Sequence, residues 1–158
     1  MLNARVRFTV LAFSGNFRGV DLSYALTIRA EQRVACFRFW DLVTIEEARQ
    51  AFLEYVALPG FDPGYVMMSD ASAVTSVEAG FIGVLLGVQG LAQQLKNFDR
   101  GALSVVLVKK DTVFGMVRML EQVLDFASPI KLRIVWTPAE ALLVAGRQDC
   151  DYAALFDF

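Results

Sequence analysis

The chain contains no histidine in its 158 residues. That removes the commonest general base and the commonest metal ligand. Cysteine is almost as scarce: Cys36 and Cys150 are the two present, far apart and without a metal-type spacing. Cys36 lies in an apolar run and reads as a buried, inert thiol. Cys150 lies in the C-terminal tail and reads as free. A disulfide between them stays open on sequence alone, with a reducing cytoplasm the better fit. Charge is sparse too, at 20% of residues and a net −2, with no basic stripe. Nothing here would condense on a phosphate backbone, so nucleic acid is not an expected partner, nor is a membrane surface held by charge. The longest apolar stretch, Ala79–Val88, is too short to span a bilayer. The run Phe8–Phe13 behind Arg5 and Arg7 is too short and interrupted for a secretory signal, and no small-residue cleavage site follows it. A cytoplasmic protein without membrane insertion is expected. Internal repeats, low-complexity segments and linkers are also missing.

What is present is apolar. Hydrophobic residues make up 56% of the chain, and the mean hydropathy is +0.46. A chain of this length is one domain, 1–158, and buries about two-thirds of its unfolded surface. Its apolar content exceeds what such an interior absorbs. Exposed apolar patches mark contacts, so a homodimer is expected.

The periodicity separates strands from helices. An extra N-terminal strand is predicted over 5–13, where Val6, Phe8 and Val10 alternate with Arg7 and Thr9, followed by a turn at Ser14-Gly15-Asn16. Leu22–Arg29 and Arg33–Trp40 read as a hairpin joined through Ala30-Glu31-Gln32. Thr44 and Glu47 form a capping box for a helix to Ala57, with Ile45, Ala48, Phe52 and Val56 inward and Pro59-Gly60 ending it. Tyr65–Met68 reads as a buried strand. Thr75 and Glu78 make a second capping box, predicting a helix from Ser76 to Lys96. That helix holds Gly80, Gly83, Gly87 and Gly90, each costing about 1 kcal/mol against Ala. Either tight packing on the sheet or a protein partner on the Gly side explains them. Leu103–Val108 is a continuous apolar run, as in a strand covered on both faces. Asp111 is the expected N-cap of a helix over 112–126 that closes at Ser128-Pro129. Lys131–Trp136 is the last strand. Thr137 and Glu140 cap a short helix that stops at Gly146, with Pro138 at its first position. Strands alternating with helices imply an α/β domain: a mixed, mainly parallel sheet with an antiparallel N-terminal hairpin, about five strands and four helices. Its core spans about 22–146, and the tail 147–158 folds back onto this subunit or a neighbour.

In such a sheet, sites form beyond the carboxyl ends of the strands. Ser69-Asp70, Lys109-Lys110-Asp111 and Thr137 hold those places. Lys109, Lys110 and the helix N-termini could hold an anion or an acidic partner. The plainer reading is caps and a solvated strand end. Asp70 and Glu78 flank one segment as two carboxylates, yet no nucleophile or base accompanies them, so no enzyme and no cofactor are expected. Ser14–Gly19 lacks the order of a phosphate-binding loop. Phe37, Phe39, Trp40, Phe61, Phe81 and Phe98 read as core, or else as the lining of a cavity for an apolar ligand.

Residues 70–83 also carry a family pattern. Asp70, Ser72 and Val74 match an Asp-x-Ser-x-Val strand end. Glu78 stands for the Asp, Ala79 and Gly80 for the two serines, Phe81 for the Gly, Ile82 for the Leu and Gly83 for the last Gly of Asp-Ser-Ser-Gly-Leu-Gly, which opens a helix. The segment resembles the SpoIIAA-like, or STAS, domain of anti-sigma-factor antagonists and sulphate transporters. Residues 111–119 resemble a helix common in uncharacterised bacterial members. The resemblance implies a non-catalytic protein-interaction module, regulatory or scaffolding, with Asp70, Ser72, Thr75, Ser76, Glu78, Ala79, Lys110 and Asp111 as its partner surface. In the antagonists the first Ser of the pair is phosphorylated, and the added charge breaks the complex. Ala79 has no hydroxyl, so that switch is not expected at this position. The alternative is a binder of an apolar small molecule or lipid, since lipid-carrying domains have a related topology.

Overall fold

The computed structural model describes residues 22–158; the strand predicted over 5–13 and the turn at 14–16 lie outside the described residues. Strands β1 (Tyr24–Arg29) and β2 (Val34–Thr44) form the antiparallel hairpin, from Tyr24 opposite Phe39 to Arg29 opposite Val34. Its turn closes as Arg33 N–H donates to the Ala30 carbonyl at 3.1 Å, with Arg33 at φ 56°. Helix α1 (Ile45–Ala57) follows at once, and its capping box is complete. Glu47 N–H donates to Thr44 Oγ1 at 3.1 Å, and Thr44 N–H donates to Glu47 Oε2 at 2.9 Å. Ala51 and Tyr55 form the centre of its buried stripe, with Ile45, Ala48, Phe52 and Val56 packed alongside.

The main departure from the sequence reading comes next. Strand β3 (Val66–Glu78) does not end at Met68. The strand end expected at Ser69-Asp70 and the capping box of Thr75 with Glu78 do not form. The cause is β2, which continues past Trp40 and gives β3 a parallel partner as far as Thr44 opposite Glu78. Val74, Thr75 and Val77 are β-branched and suit that ladder. A capping box has meaning only where helical backbone follows it, and here the strand pairing prevails. The long helix expected over 76–96 is therefore α2 (Phe81–Gln89) and α3 (Ala92–Leu95), separated at Gly90-Leu91.

The remaining elements are β4 (Leu103–Leu107), α4 (Asp111–Ala127), β5 (Lys131–Val135), α5 (Pro138–Ala145) and α6 (Tyr152–Leu155). Asp111 is the first helical residue rather than the N-cap. Lys110 takes the cap position without a side-chain bond, and Asp111 still meets the positive end of the helix dipole. Thr137 Oγ1 accepts from Glu140 N–H at 3.1 Å, while the Glu140 carboxylate accepts from Trp136 N–H at 2.8 Å, so that box is offset by one residue. Gly146 ends α5 at φ 65°, a left-handed conformation that suits glycine.

The sheet order is β1-β2-β3-β4-β5, with β2 to β5 parallel. Each parallel strand lies beside the one before it and the steps run one way, so right-handed crossovers place α1, α2 and α4 on a single face. Val84, Val113, Val123 and Leu124 pack there with Ala51 and Tyr55. The opposite face is covered by chain that follows β5. Ala141, Ala145, Leu155 and Phe156 close over Val34, Cys36, Met68 and Val105. The tail thus folds onto its own subunit. Arg29 Nε donates to the Leu155 carbonyl at 3.0 Å, and its Nη2 donates to the Asp157 carbonyl. The Arg38 guanidinium lies 5.7 Å from the Phe156 ring centroid and 5.2 Å from that of Phe158.

Phe156 is 1% exposed and Phe158 is 36% exposed. Phe156→Ala should therefore lower unfolding stability by about 3–5 kcal/mol, and Phe158→Ala by about 1 kcal/mol through the cation–π contact alone. Urea unfolding of the two variants checks this; equal, small losses would mean that the tail does not seal this face.

Candidate functional site

β4 pairs with β3 only from Met67 to Asp70. Beyond Asp70, β3 has β2 as its one partner among the described residues, so residues 73–78 run with residues 40–44 as a two-stranded parallel ribbon that leaves the sheet. The register slips twice along this pair, between Arg38 and Trp40 and between Asp41 and Leu42. At each slip β3 carries the extra residue, the geometry of a bulge. Asp41 takes φ 54° there, which Asp tolerates better than most residues. At the first slip Ser72 donates twice to Asp70 Oδ1, from its N–H at 2.9 Å and from its hydroxyl at 2.6 Å. Asp70 thereby satisfies the amide that the bulge leaves outside the ladder.

The ribbon exposes Ala73, Thr75, Ser76 and Glu78 and leads through Ala79 and Gly80 into α2. Val84 and Val88 hold α2 to the core. Its outer side presents Phe81 at 48%, Ile82 at 64% and Leu86 at 61% exposure. Gly83 lies on that side with open space where a Cβ would stand, whereas a Cβ on Gly87 would come within 3.0 Å of Ile45 Cγ2. Of the four glycines, Gly87 is thus explained by close packing on α1. Gly80 and Gly90 cap the helix rather than interrupt it.

The expected site residues do not form one surface. Asp70 faces the tail and is 7% exposed, across the ladder from Arg38. The Tyr152 hydroxyl is buried without a hydrogen-bond partner among the described residues. Burial, and after it the nearby Asp70 carboxylate, push the phenol well above its ordinary range. Ser72 is bound to Asp70. Lys110 and Asp111 are exposed at the start of α4, and among the described residues neither is ion-paired. Thr75, Ser76, Glu78 and Ala79 stay together on the ribbon and its joint with α2. No group of three or more Cys, Asp or Glu side chains gathers as a metal site among the described residues.

Two features that the sequence raised only as alternatives take definite form, with Phe81 at the surface rather than in the core and Phe37 and Phe39 in a cavity wall. One is the outward triad of α2. The other is an apolar cavity of about 240 Å³ between the sheet and α1, α2 and α4. Phe37, Phe39 and Phe52 line it from one side and Val106, Val113 and Leu124 from the other. Thr44, Arg49, Ser69 and Ser104 are its polar members.

A search of solved structures finds an uncharacterised protein of the DUF3478 family with a SpoIIAA-like fold, from Shewanella loihica PV-4, at 16% identity and a TM-score of 0.50; the match covers 81% of this chain and 98% of that one. No protein-family model matches the chain, and no curated protein matches it. The fold is SpoIIAA-like: a five-stranded sheet with β1 antiparallel to β2, the remaining strands parallel, and helices on both faces. Glu78-Ala79-Gly80 lies immediately before a helix, as the pattern in the sequence places it, whereas Asp70, Ser72 and Val74 stand within β3 and not at its end. No helix among the described residues is long and apolar enough to cross a membrane.

Cys36 is 0% exposed, and burial pushes its thiol up from 9.0 to about 12. Unfolded Cys ionises near its ordinary value, so between about pH 9 and 12 the native state holds a proton that the unfolded state has lost, and stability falls as pH rises. Urea midpoints taken from pH 8 to 11 should fall with pH, and less steeply in Cys36→Ala. At pH 8 a thiol reagent should modify one cysteine, Cys150, in the folded chain and both after denaturation.

Proposed function

We propose that this protein is a non-catalytic interaction module, regulatory or scaffolding, that docks a protein partner through the outer side of α2 and the ribbon end beside it. The observation that carries the reading is the row of Phe81, Ile82 and Leu86 on a helix whose other side is fully used by the core. Contiguous exposed side chains of this size mark an interaction surface. Thr75, Ser76 and Glu78 supply the polar rim that such surfaces carry. Ala79 stands at the joint of strand and helix and offers no hydroxyl, so docking here is set by apolar contact and not by phosphorylation of that residue. A second copy of this chain is the simplest partner, giving a homodimer in the cytoplasm.

Sedimentation equilibrium tests this. The wild-type chain should show a dimer mass at tens of micromolar, and Ile82→Asp with Leu86→Asp should show a monomer mass with an unfolding midpoint shifted by no more than about 0.5 kcal/mol, the usual span for surface changes. A monomeric wild-type chain with no slower-moving complex in its own cell extract would remove the reading.

The cavity favours a second reading, in which an apolar small molecule or lipid is bound. Interiors pack with few voids larger than a water molecule, and apolar cavities of about 150 Å³ stay dry and take benzene-sized guests. Native mass spectrometry of freshly purified protein would reveal such a guest as added mass.

A further inference from the structure

We infer that the cavity between the sheet and the α1, α2 and α4 layer takes a single-chain amphiphile with an anionic head group, its chain along α4 and its head at Arg49. The inference rests on the second reading above and adds the class of ligand.

The shape argues for a chain. The lining follows α4 from Val113 to Leu124, about 16 Å at 1.5 Å per residue. A flexible acyl chain can adapt to a space of about 240 Å³ lined along that length. The walls argue for hydrocarbon: Val106, Val113, Val117, Leu120 and Leu124 offer no polar atom from their side chains.

The charge argues for an anion. Among the described residues that line the cavity, Arg49 is the one charged side chain. It is half-exposed at the edge, over Gly90, where a Cβ would lie 3.6 Å from its Nε. Its present partner is Glu46, an i,i+3 contact of 3.2 Å, and the Glu46 side chain is 75% exposed. Such a surface pair holds its arginine weakly. A carboxylate brought in by a chain already seated in the cavity would meet the guanidinium in a drier setting, where a charge-assisted hydrogen bond is stronger. A cationic head would face Arg49 with like charge.

Titration calorimetry of the full chain with dodecanoate and with dodecan-1-ol, both below their aggregation concentrations, tests the inference. Wild-type protein should bind one dodecanoate about tenfold more tightly than dodecanol, a difference of about 1.4 kcal/mol. Arg49→Gln, a change on the exposed side of α1, should bring the two to equal affinity without altering the dodecanol value. Val117→Phe should weaken both by filling the space. If dodecanol binds as tightly as dodecanoate to the wild type, the head-group assignment falls while the apolar cavity stands. If neither binds, both fall.

Discussion

Right-handed crossovers on strands that all step the same way leave a parallel sheet with one face unclothed. From β2 to β5 this chain obeys that constraint, so α1, α2 and α4 share a side, and the chain after β5 must supply the other. The consequence is visible in the tail. Leu155 and Phe156 are as deeply buried as the strands they cover, and two arginines of the hairpin, Arg29 and Arg38, hold the last residues by carbonyl oxygens and ring faces. A segment that looks like an appendage in the sequence is the second wall of the core.

The two faces differ in kind. The tail face draws Asp70, Cys36 and the Tyr152 hydroxyl out of water. On the helix face, three helices held to the sheet by aliphatic and aromatic side chains leave an apolar void between them. The same face ends in α2, whose inner side packs at Val84 and Val88 and whose outer side is as apolar as its inner side. An excess of apolar residues over what one interior absorbs is thus placed in two locations, a cavity wall and a helix surface. The docking and ligand readings each take one of them.

The long pairing of β2 with β3 links these regions. Two extra residues in β3 bend the pair away from β4, and the carboxylate of Asp70 is spent on the first bulge rather than on a partner. The family-like segment is therefore part scaffold, at Asp70, Ala71, Val74, Val77 and Ala79, and part surface, at Ala73, Thr75, Ser76 and Glu78.

Most of the fold was legible in the residues. The alternation in β1, the continuous apolar run of β4, the Thr44–Glu47 box, the period of α4 and the Gly146 stop each depend on neighbours close in sequence, and local chemistry decides them. What misled was the stretch 69–78. Its Thr-x-x-Glu spacing is a helix signal taken alone, but the strand pairing that overrides it depends on the length of β2, some thirty residues earlier. For the same reason the start of α2 at Phe81 and its break at Gly90-Leu91 were hidden.

By itself, then, the sequence determined the class of fold, the number and kind of most elements, and the scarcity of reactive groups, because these follow from composition and short-range spacing. Only the tertiary structure decided which of the candidate residues face water, that the tail closes the second face, and that a cavity lies beneath α4. Those outcomes depend on how separate segments meet in space, and no local pattern in a chain records the size of the gap left when they do.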